Sequence, residues 1–494
     1  MIRSKKISIF IAVLLLAALF GAVSPAAEKE GKFVLLIRMM GIQDAWFRSR
    51  MIPPFEKKHG AAVTVASFDK FWDLEFMLNL EEEGGRRSIG LVKTPLEMTR
   101  PLQKYMRPYD DIMAPGDLKA LTARYDPAAL ERGIIDGKLY YLPRKLETRI
   151  MVYVKPRVDE AVQGWWQFED EINAALKQDN GFGLPAGYVL EPDPNQWDYY
   201  DLFVAASYWA KTPYFRIKMP RMAHRGKKYG GTVVGLVDRV FQMGGTAEDI
   251  LRMSADSVVD MFVWEAVYRK NGLYHPGMWQ DPWSGGGIWN AMKDGKVFLA
   301  MMHQIDCFFI HGGTHPQMQG YLANPDDMGV AVMPLGHTFE LDGRGTPLRI
   351  GSRKAGTAGW WWGIPKTSPR PELSAALAQW ITSYDNHLSE CRIFGMMPVR
   401  RDITSDLRGV FPEQWKASVF DTSVKQIALN GDAAVPLLPE YSDVGKIYLD
   451  AWYDIVVGEN YGPEGRIDRD HIRSILQERY VPRIRTVLGN RYPE

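Results

Sequence analysis

Hydrophobic and polar positions along this chain alternate between two periods. Residues 33–37 (FVLLI) form a short apolar run with the look of a buried strand. Residues 46–59 repeat apolar positions at helical spacing and stop at Gly60, and residues 61–67 alternate well enough for a second strand. Residues 73–83 set Leu74, Met77, Leu78 and Leu80 on one side of a helix that ends at Gly84-Gly85. Residues 89–92 predict a third strand and 96–105 another helix. Strands alternating with helices predict parallel βαβ units in an open α/β sheet. From about 164 to 287 the pattern is mostly helical and rich in aromatics. It is broken by an irregular basic insert, 216–228, which reads as a solvated loop, with a docking surface as the alternative. Strand-like runs return at 329–333 and 360–364, a helix follows at 372–384, and the pattern is helical from 444 onward, ending in a charged amphipathic stretch at 468–488.

The N-terminus departs from this pattern. Arg3, Lys5 and Lys6 precede an unbroken apolar run, 7–23, and Ser24-Pro25-Ala26-Ala27 supplies small residues before charged Glu28-Lys29-Glu30. This is the layout of a cleaved secretory signal peptide over residues 1–27; a membrane anchor is the alternative, since 17 apolar residues almost span a bilayer. Removing 1–27 moves the formal charge from +1 to −2, and a near-neutral chain argues against a nucleic-acid partner. The length of 494 residues predicts two or three structural units. Neither Cys307 nor Cys391 follows the apolar run, so no lipid-bearing cysteine is expected, and an unlipidated exported protein points to a periplasm; whether the two cysteines pair stays open.

Four segments, in order, resemble one family. Pro54-Phe55-Glu56-Lys57-Lys58-His59-Gly60 followed by Val63-Thr64-Val65 is the first. Ile135-Asp136-Gly137-Lys138-Leu139-Tyr140-Tyr141-Leu142-Pro143, with Val152-Tyr153-Val154-Lys155 downstream, is the second. The third runs from Trp289 through Asp294-Gly295-Lys296 to Met301. The fourth joins Gly363-Ile364-Pro365-Lys366-Thr367-Ser368 to Gly395-Met396-Met397-Pro398-Val399-Arg400. Together they resemble the extracellular solute-binding proteins of carbohydrate ABC importers, the maltose-binding-protein-like family 1. The likeness covers about residues 33–480. At 304–308, however, Asp306-Cys307-Phe308 stands where many members carry glycine and tryptophan, and the region 190–290 is longer than in most relatives.

The resemblance implies an α/β, two-lobed periplasmic-binding-protein fold (type II) with a ligand cleft between lobes joined by a hinge. It implies lobe 1 at 28–145 and 329–383, lobe 2 at 146–328 and 384–494, and crossings near 142–149, 325–330 and 381–386. It implies capture of a sugar or oligosaccharide, with a polyol or acidic sugar as the alternative, and delivery to permease subunits by a monomer that needs no cofactor and performs no catalysis. By resemblance Glu147 takes the place of a ligand-binding glutamate, and Asp44, Asp69, Trp72 and Lys93-Thr94 occupy loops that line the cleft. Trp197, Asp198, Asp306 and Tyr441 are the comparable candidates in lobe 2. Aromatic planes stack on pyranose C–H faces, and the chain holds 16 Trp. Three successive tryptophans on one strand alternate in direction, so at least one of Trp360, Trp361 and Trp362 is expected at the cleft or in solvent; Trp360 and Trp361 are the candidates.

Three rival readings remain. His303, Asp306, Cys307, His311 and His315 are ligand-type side chains, but their spacing matches no structural zinc pattern. A secreted carbohydrate-active enzyme would also be aromatic-rich, yet the chain carries no G-x-S-x-G, H-E-x-x-H or P-loop. Arg144, Lys145 and Arg149, with Arg353 and Lys354, favour an anionic ligand if they face the cleft rather than solvent.

Overall fold

The computed structural model describes residues 32–69 and 71–493, and gives no side chains for Phe71 and Trp72. The proposed signal peptide, residues 1–27, lies outside the described residues. Two separate sheets organise the chain, with a small ribbon beside the first. The first sheet contains β1 (Val34–Ile37), β2 (Thr64–Ser67), β3 (Ile89–Pro95), β4 (Met106–Arg107), β7 (Tyr141–Glu147) and β12 (Ala358–Pro365). Its order is β2-β1-β3-β12-β4, with β7 also on β12. The second contains β8 (Arg149–Val154), β9 (Met222–Ala223), β10 (Leu299–His303) and β11 (Met328–Ala331), in the order β11-β8-β10-β9. The ribbon pairs β5 (Ile134–Ile135) with β6 (Lys138–Leu139).

Local sequence explains most of these boundaries. β1 is buried at every residue and runs parallel to both β2 and β3, as a strand with helices on both faces should. The intervening helix, Ile52–His59, opens on Pro53 near its N-terminus and stops where Gly60 takes φ 60°. Glycine is also required at 359: a Cβ there would stand 2.4 Å from the Lys145 carbonyl and push β12 away from β7.

The structure corrects the sequence reading at two places. β3 does not end at Val92 but continues through Lys93, Thr94 and Pro95, so those residues are strand and not loop. The insert 216–228 is solvated only in part: Lys218, Lys227 and Lys228 are exposed, but the segment contains β9, and Arg221 is buried, donating to the carbonyls of Gly295 and Ile217. β11 pairs with β8 of the second sheet, and the following chain stays with that sheet: Leu335 N–H donates to Trp197 O at 2.9 Å and Ser352 N–H to Gln242 O at 2.8 Å. The chain rejoins the first sheet only at β12.

The three tryptophans of β12 show why alternation did not force exposure. Trp360, Trp361 and Trp362 are 9%, 0% and 0% exposed, because the first sheet is covered on both faces. Trp361 donates from Nε1 to Ala129 O at 3.0 Å on one face, and the Arg144 guanidinium lies 5.4 Å from the Trp362 ring on the other. Cys307 and Cys391 are buried with free thiols. No helix among the described residues is long and apolar enough to cross a membrane.

Candidate functional site

Strand direction decides where chemistry collects. β1 and β3 are parallel, so their carboxyl ends, Arg38 and Lys93, share one edge of the first sheet. β12 runs antiparallel to β3 and begins at that edge with Trp360. β7 runs antiparallel to β12 and ends there with Lys145 and Glu147. One residue later the chain enters the second sheet as β8, whose first residue Arg149 stands opposite His303, the last residue of β10. The Thr148 and Gln304 backbones and the Gln304 amide close the gap, Thr148 N–H donating to Gln304 Oε1 at 3.1 Å and Gln304 N–H to Thr148 O at 3.3 Å. The carboxyl ends of both sheets therefore face each other across a single strand crossing, the usual position for a ligand in open α/β folds.

Glu147 is the centre of this arrangement. It forms an ion pair with Lys145, and its side chain keeps 17% of its surface exposed. Burial pushes its carboxyl up, but Lys145, His303 and Lys93 together outweigh that and hold it at about 2. Arg225, just after β9 of the second sheet, also acts on Glu147, so the field there is built from both sheets. The His303 imidazole is driven well below its usual range by burial and by the Arg225 guanidinium, so it stands neutral. Arg225 itself is fixed by Asp306 at 2.8 Å, and Asp306 also accepts from the His303 backbone N–H at 3.1 Å. Arg149 makes a two-pronged pair with Asp238, one arm at 2.6 Å. Beneath, Arg144 and Glu390 pair at 2.7 Å with both side chains wholly buried. A cavity beside the crossing is lined by Arg149, Arg225, Thr232, Asp238, Met302 and His303.

A second acid approaches from the helix Leu96–Leu102. Burial, with Glu147 adding to it, raises the Glu97 carboxyl to about 7, while Arg38 and Arg149 pull it back. Glu97 in turn acts on Tyr441, the first residue of the helix Tyr441–Trp452, whose phenol oxygen has no hydrogen-bond partner among the described residues.

Of the residues singled out from sequence, four converge on this crossing: Glu147, Trp360, Asp306 and Tyr441. Asp44 and Asp69 follow the carboxyl ends of β1 and β2, and the other described side chains are held in strands, caps or cores. Asp44 lies in the helix Gly41–Trp46 and is bound to Arg48 at 2.9 Å; Asp69 is exposed at the end of β2. Thr94 is buried and paired in register with Trp361, one step along β3 from Lys93 and therefore on the opposite face. Trp361 and Trp197 are sealed in the cores of the two halves, Trp197 donating to Glu191 O at 2.6 Å. Asp198 caps the helix Tyr199–Lys211 in a capping box with Asp201. The side chain of Trp72 lies outside the described residues.

The crossing also recruits residues that the sequence reading placed otherwise. Arg225 came from the supposed solvated insert, and Lys93 lay within a loop that proved to be strand. His303 belonged to the metal-type run. That run does not gather: Asp306 serves Arg225, and His311 stacks on Trp415 at 3.8 Å. Among the described residues no group of three His, Cys, Asp or Glu is placed to hold a metal.

A sequence profile of the bacterial extracellular solute-binding protein family matches residues 51–419. No curated protein matches the chain. Among solved structures, the fold is similar to maltose-bound MalE3 of T. maritima, with TM-score 0.63, 15% identity, and coverage of 90% of this chain and 98% of that one. It is similar to a mannitol-bound ABC-transporter solute-binding protein of Agrobacterium vitis, with TM-score 0.62, 15% identity and coverage of 94% and 100%. It is also similar to the maltotriose-binding protein of Thermus thermophilus, with TM-score 0.60, 15% identity and coverage of 93% and 100%. The profile spans most of the chain, and the fold is that of two-lobed periplasmic binding proteins: the protein belongs to the bacterial extracellular solute-binding protein family.

Proposed function

We propose that this protein is the periplasmic binding component of an ABC importer, capturing a sugar-like solute at the crossing between its two sheets and handing it to a membrane permease. The observation that carries this reading is the convergence on Glu147 of charged and aromatic groups from both sheets. Hydroxyls pair with carboxylates, imidazoles and guanidiniums, and apolar C–H faces stack on rings; Glu147, His303, Arg225 and Trp360 provide each of these at one place. The names of the solved relatives, which bind maltose, maltotriose and mannitol, point to the same polyhydroxylated ligand class. On this reading residues 1–27 are a cleaved export signal and the mature chain acts as a monomer without catalysis. The first lobe is built on β1–β4, β7 and β12, and the second on β8–β11.

A thermal-shift panel of sugars, oligosaccharides and polyols on the chain from residue 28 tests the reading, since a ligand that binds only the folded state raises the melting temperature. The expected result is a rise with one narrow class of sugar, a change in tryptophan fluorescence, and ligand recovered chemically unchanged. Cleaved oligosaccharide in the recovered ligand would sink the proposal in favour of an enzyme.

A further inference from the structure

Lys93 differs from the other buried cations at the crossing. Arg144, Lys145, Arg149 and Arg225 are each bound to a carboxylate, on Glu390, Glu147, Asp238 and Asp306 respectively. Lys93 forms no ion pair with a carboxylate among the described residues. Its ammonium has the Arg38 carbonyl at 2.5 Å and the Trp360 ring centroid at 4.2 Å. Those are modest partners for a cation only 2% exposed. The neighbours add to the cost: Arg144 and Lys145 repel it, and the carboxylate of Glu147 is already held by Lys145. An apolar side chain of similar length would fill this position with less loss of stability.

The position of Lys93 explains why a charge would be kept there. It is near the carboxyl end of β3, beside the ring of Trp360, and like His303 it acts on Glu147. Burial, Arg144 and Lys145 push the Lys93 ammonium well below its usual range. A carboxylate brought by a ligand would supply the charged partner that Lys93 lacks among the described residues. The adjoining ring offers a stacking face for a carbon skeleton, and Glu147 and His303 offer partners for hydroxyls.

We propose that Lys93 anchors a carboxylate of the captured solute, so that the ligand class is a sugar acid, an aldonate or a uronate, and not a neutral sugar or polyol. The inference rests on the capture function proposed above and narrows its substrate.

Calorimetric titration of the chain from residue 28 tests it, with D-gluconate, D-glucuronate and D-galacturonate set against D-glucose, D-galactose and D-glucitol. At least one acid is expected to bind about ten- to a hundredfold tighter than its neutral counterpart, the range for one hydrogen bond to a charged group. Lys93→Gln should abolish that preference while raising the melting temperature of the free protein, because it removes an unmatched buried charge. Lys93→Arg should retain the preference. If the neutral sugars bind and the acids do not, or if Lys93→Gln leaves the preference intact, the sugar-acid inference is overturned while the capture function stands. If the folded wild-type protein binds no member of either set, both readings fall. The wild-type comparison decides the matter even if a variant does not fold.

Discussion

At the residue scale the carboxylates divide into those that hold the molecule together and those that face the crossing. Glu265 belongs to the first kind. Arg239 Nε at 2.7 Å, His224 Nε2 at 3.0 Å, Tyr274 OH at 2.7 Å and Trp452 Nε1 at 2.8 Å all meet its two oxygens, and it is wholly buried. Burial raises its carboxyl, but Arg239 and His224 more than reverse that and leave it at about 2. Glu265→Gln keeps the shape and strands the Arg239 charge, so it should destabilise the protein by about 3–5 kcal/mol in urea titration. A loss under ~1 kcal/mol would show that the cluster contributes little.

Glu147 belongs to the second kind, and its behaviour in acid is specific. Its folded pKa is about 2 against an unfolded value near 4.5. A carboxyl depressed by folding contributes stability that is complete above the unfolded value and fades as pH falls towards the folded one. The wild-type melting temperature should therefore drop between about pH 4.5 and 2 by more than that of Glu147→Gln, which has no proton to take up there. Scanning calorimetry across that window checks it; parallel curves for the two proteins would contradict the depressed value. The same substitution should weaken ligand binding at neutral pH, since groups from both sheets meet at Glu147.

At the element scale the hinge depends on one helix. In the helix Gln414–Asn430, Asn430 Nδ2 donates to Thr148 Oγ1 and to Thr357 Oγ1, each at 3.1 Å, and its Oδ1 accepts from Ala355 N–H at 2.8 Å. Thr148 lies on one crossing between the sheets, and Ala355 and Thr357 lie on the chain that returns to β12. A turn further back, Gln426 accepts from Met333 N–H at 2.7 Å and donates to Arg353 O at 2.8 Å. Two crossings are thus tied to one helix end by side-chain amides. Gln426 Nε2 also donates to Asn430 Oδ1 at 2.7 Å, so Asn430→Leu removes four hydrogen bonds at nearly constant volume and leaves buried partners unmet, at a cost of about 1–3 kcal/mol each where no water replaces them. The expected outcome is a lower melting temperature together with a broadened distribution of lobe–lobe distances, measured by electron–electron double resonance between spin labels on the two halves. An unchanged distribution would mean that Asn430 supports only the local fold.

Elements also show what a linear pattern conveys. Residues 33–37, 89–92 and 360–364 read correctly as strands because each is a short apolar run between polar or glycine signals. The segment Ile135 to Pro143 fixed the register that put Glu147 at the crossing. Arg225 could not be read in this way. It sits in a basic, irregular stretch whose local pattern is that of a surface loop, and only the distant Asp306, 81 residues on, draws it inside. Trp361 and Trp362 are hidden for a related reason: alternation gives direction relative to the strand, but not whether a helix covers each face.

At the scale of the whole molecule, two sheets joined at strand crossings form a hinge, and capture should appear as closure. A saturating ligand should reduce the radius of gyration in small-angle scattering relative to the ligand-free protein, and the change should disappear when Glu147 is replaced. Equal radii with and without a ligand known to bind would contradict closure, though not binding. The overall form was accessible without coordinates, because alternating periods specify an α/β architecture and four ordered motifs specify its family. The packing of one stretch was not. The stretch after β11 carries no local mark of the half it packs against, and its place was decided by pairing with β8 and by hydrogen bonds to Trp197 and Gln242. The sequence by itself determined most of the elements and their alternation, because these depend on neighbours within a few residues. Tertiary structure alone decided which charges meet: the matching of Arg225 to Asp306 and of Arg149 to Asp238, and the lack of a carboxylate at Lys93, depend on residues brought together from distant parts of the chain, where burial magnifies every unmatched charge.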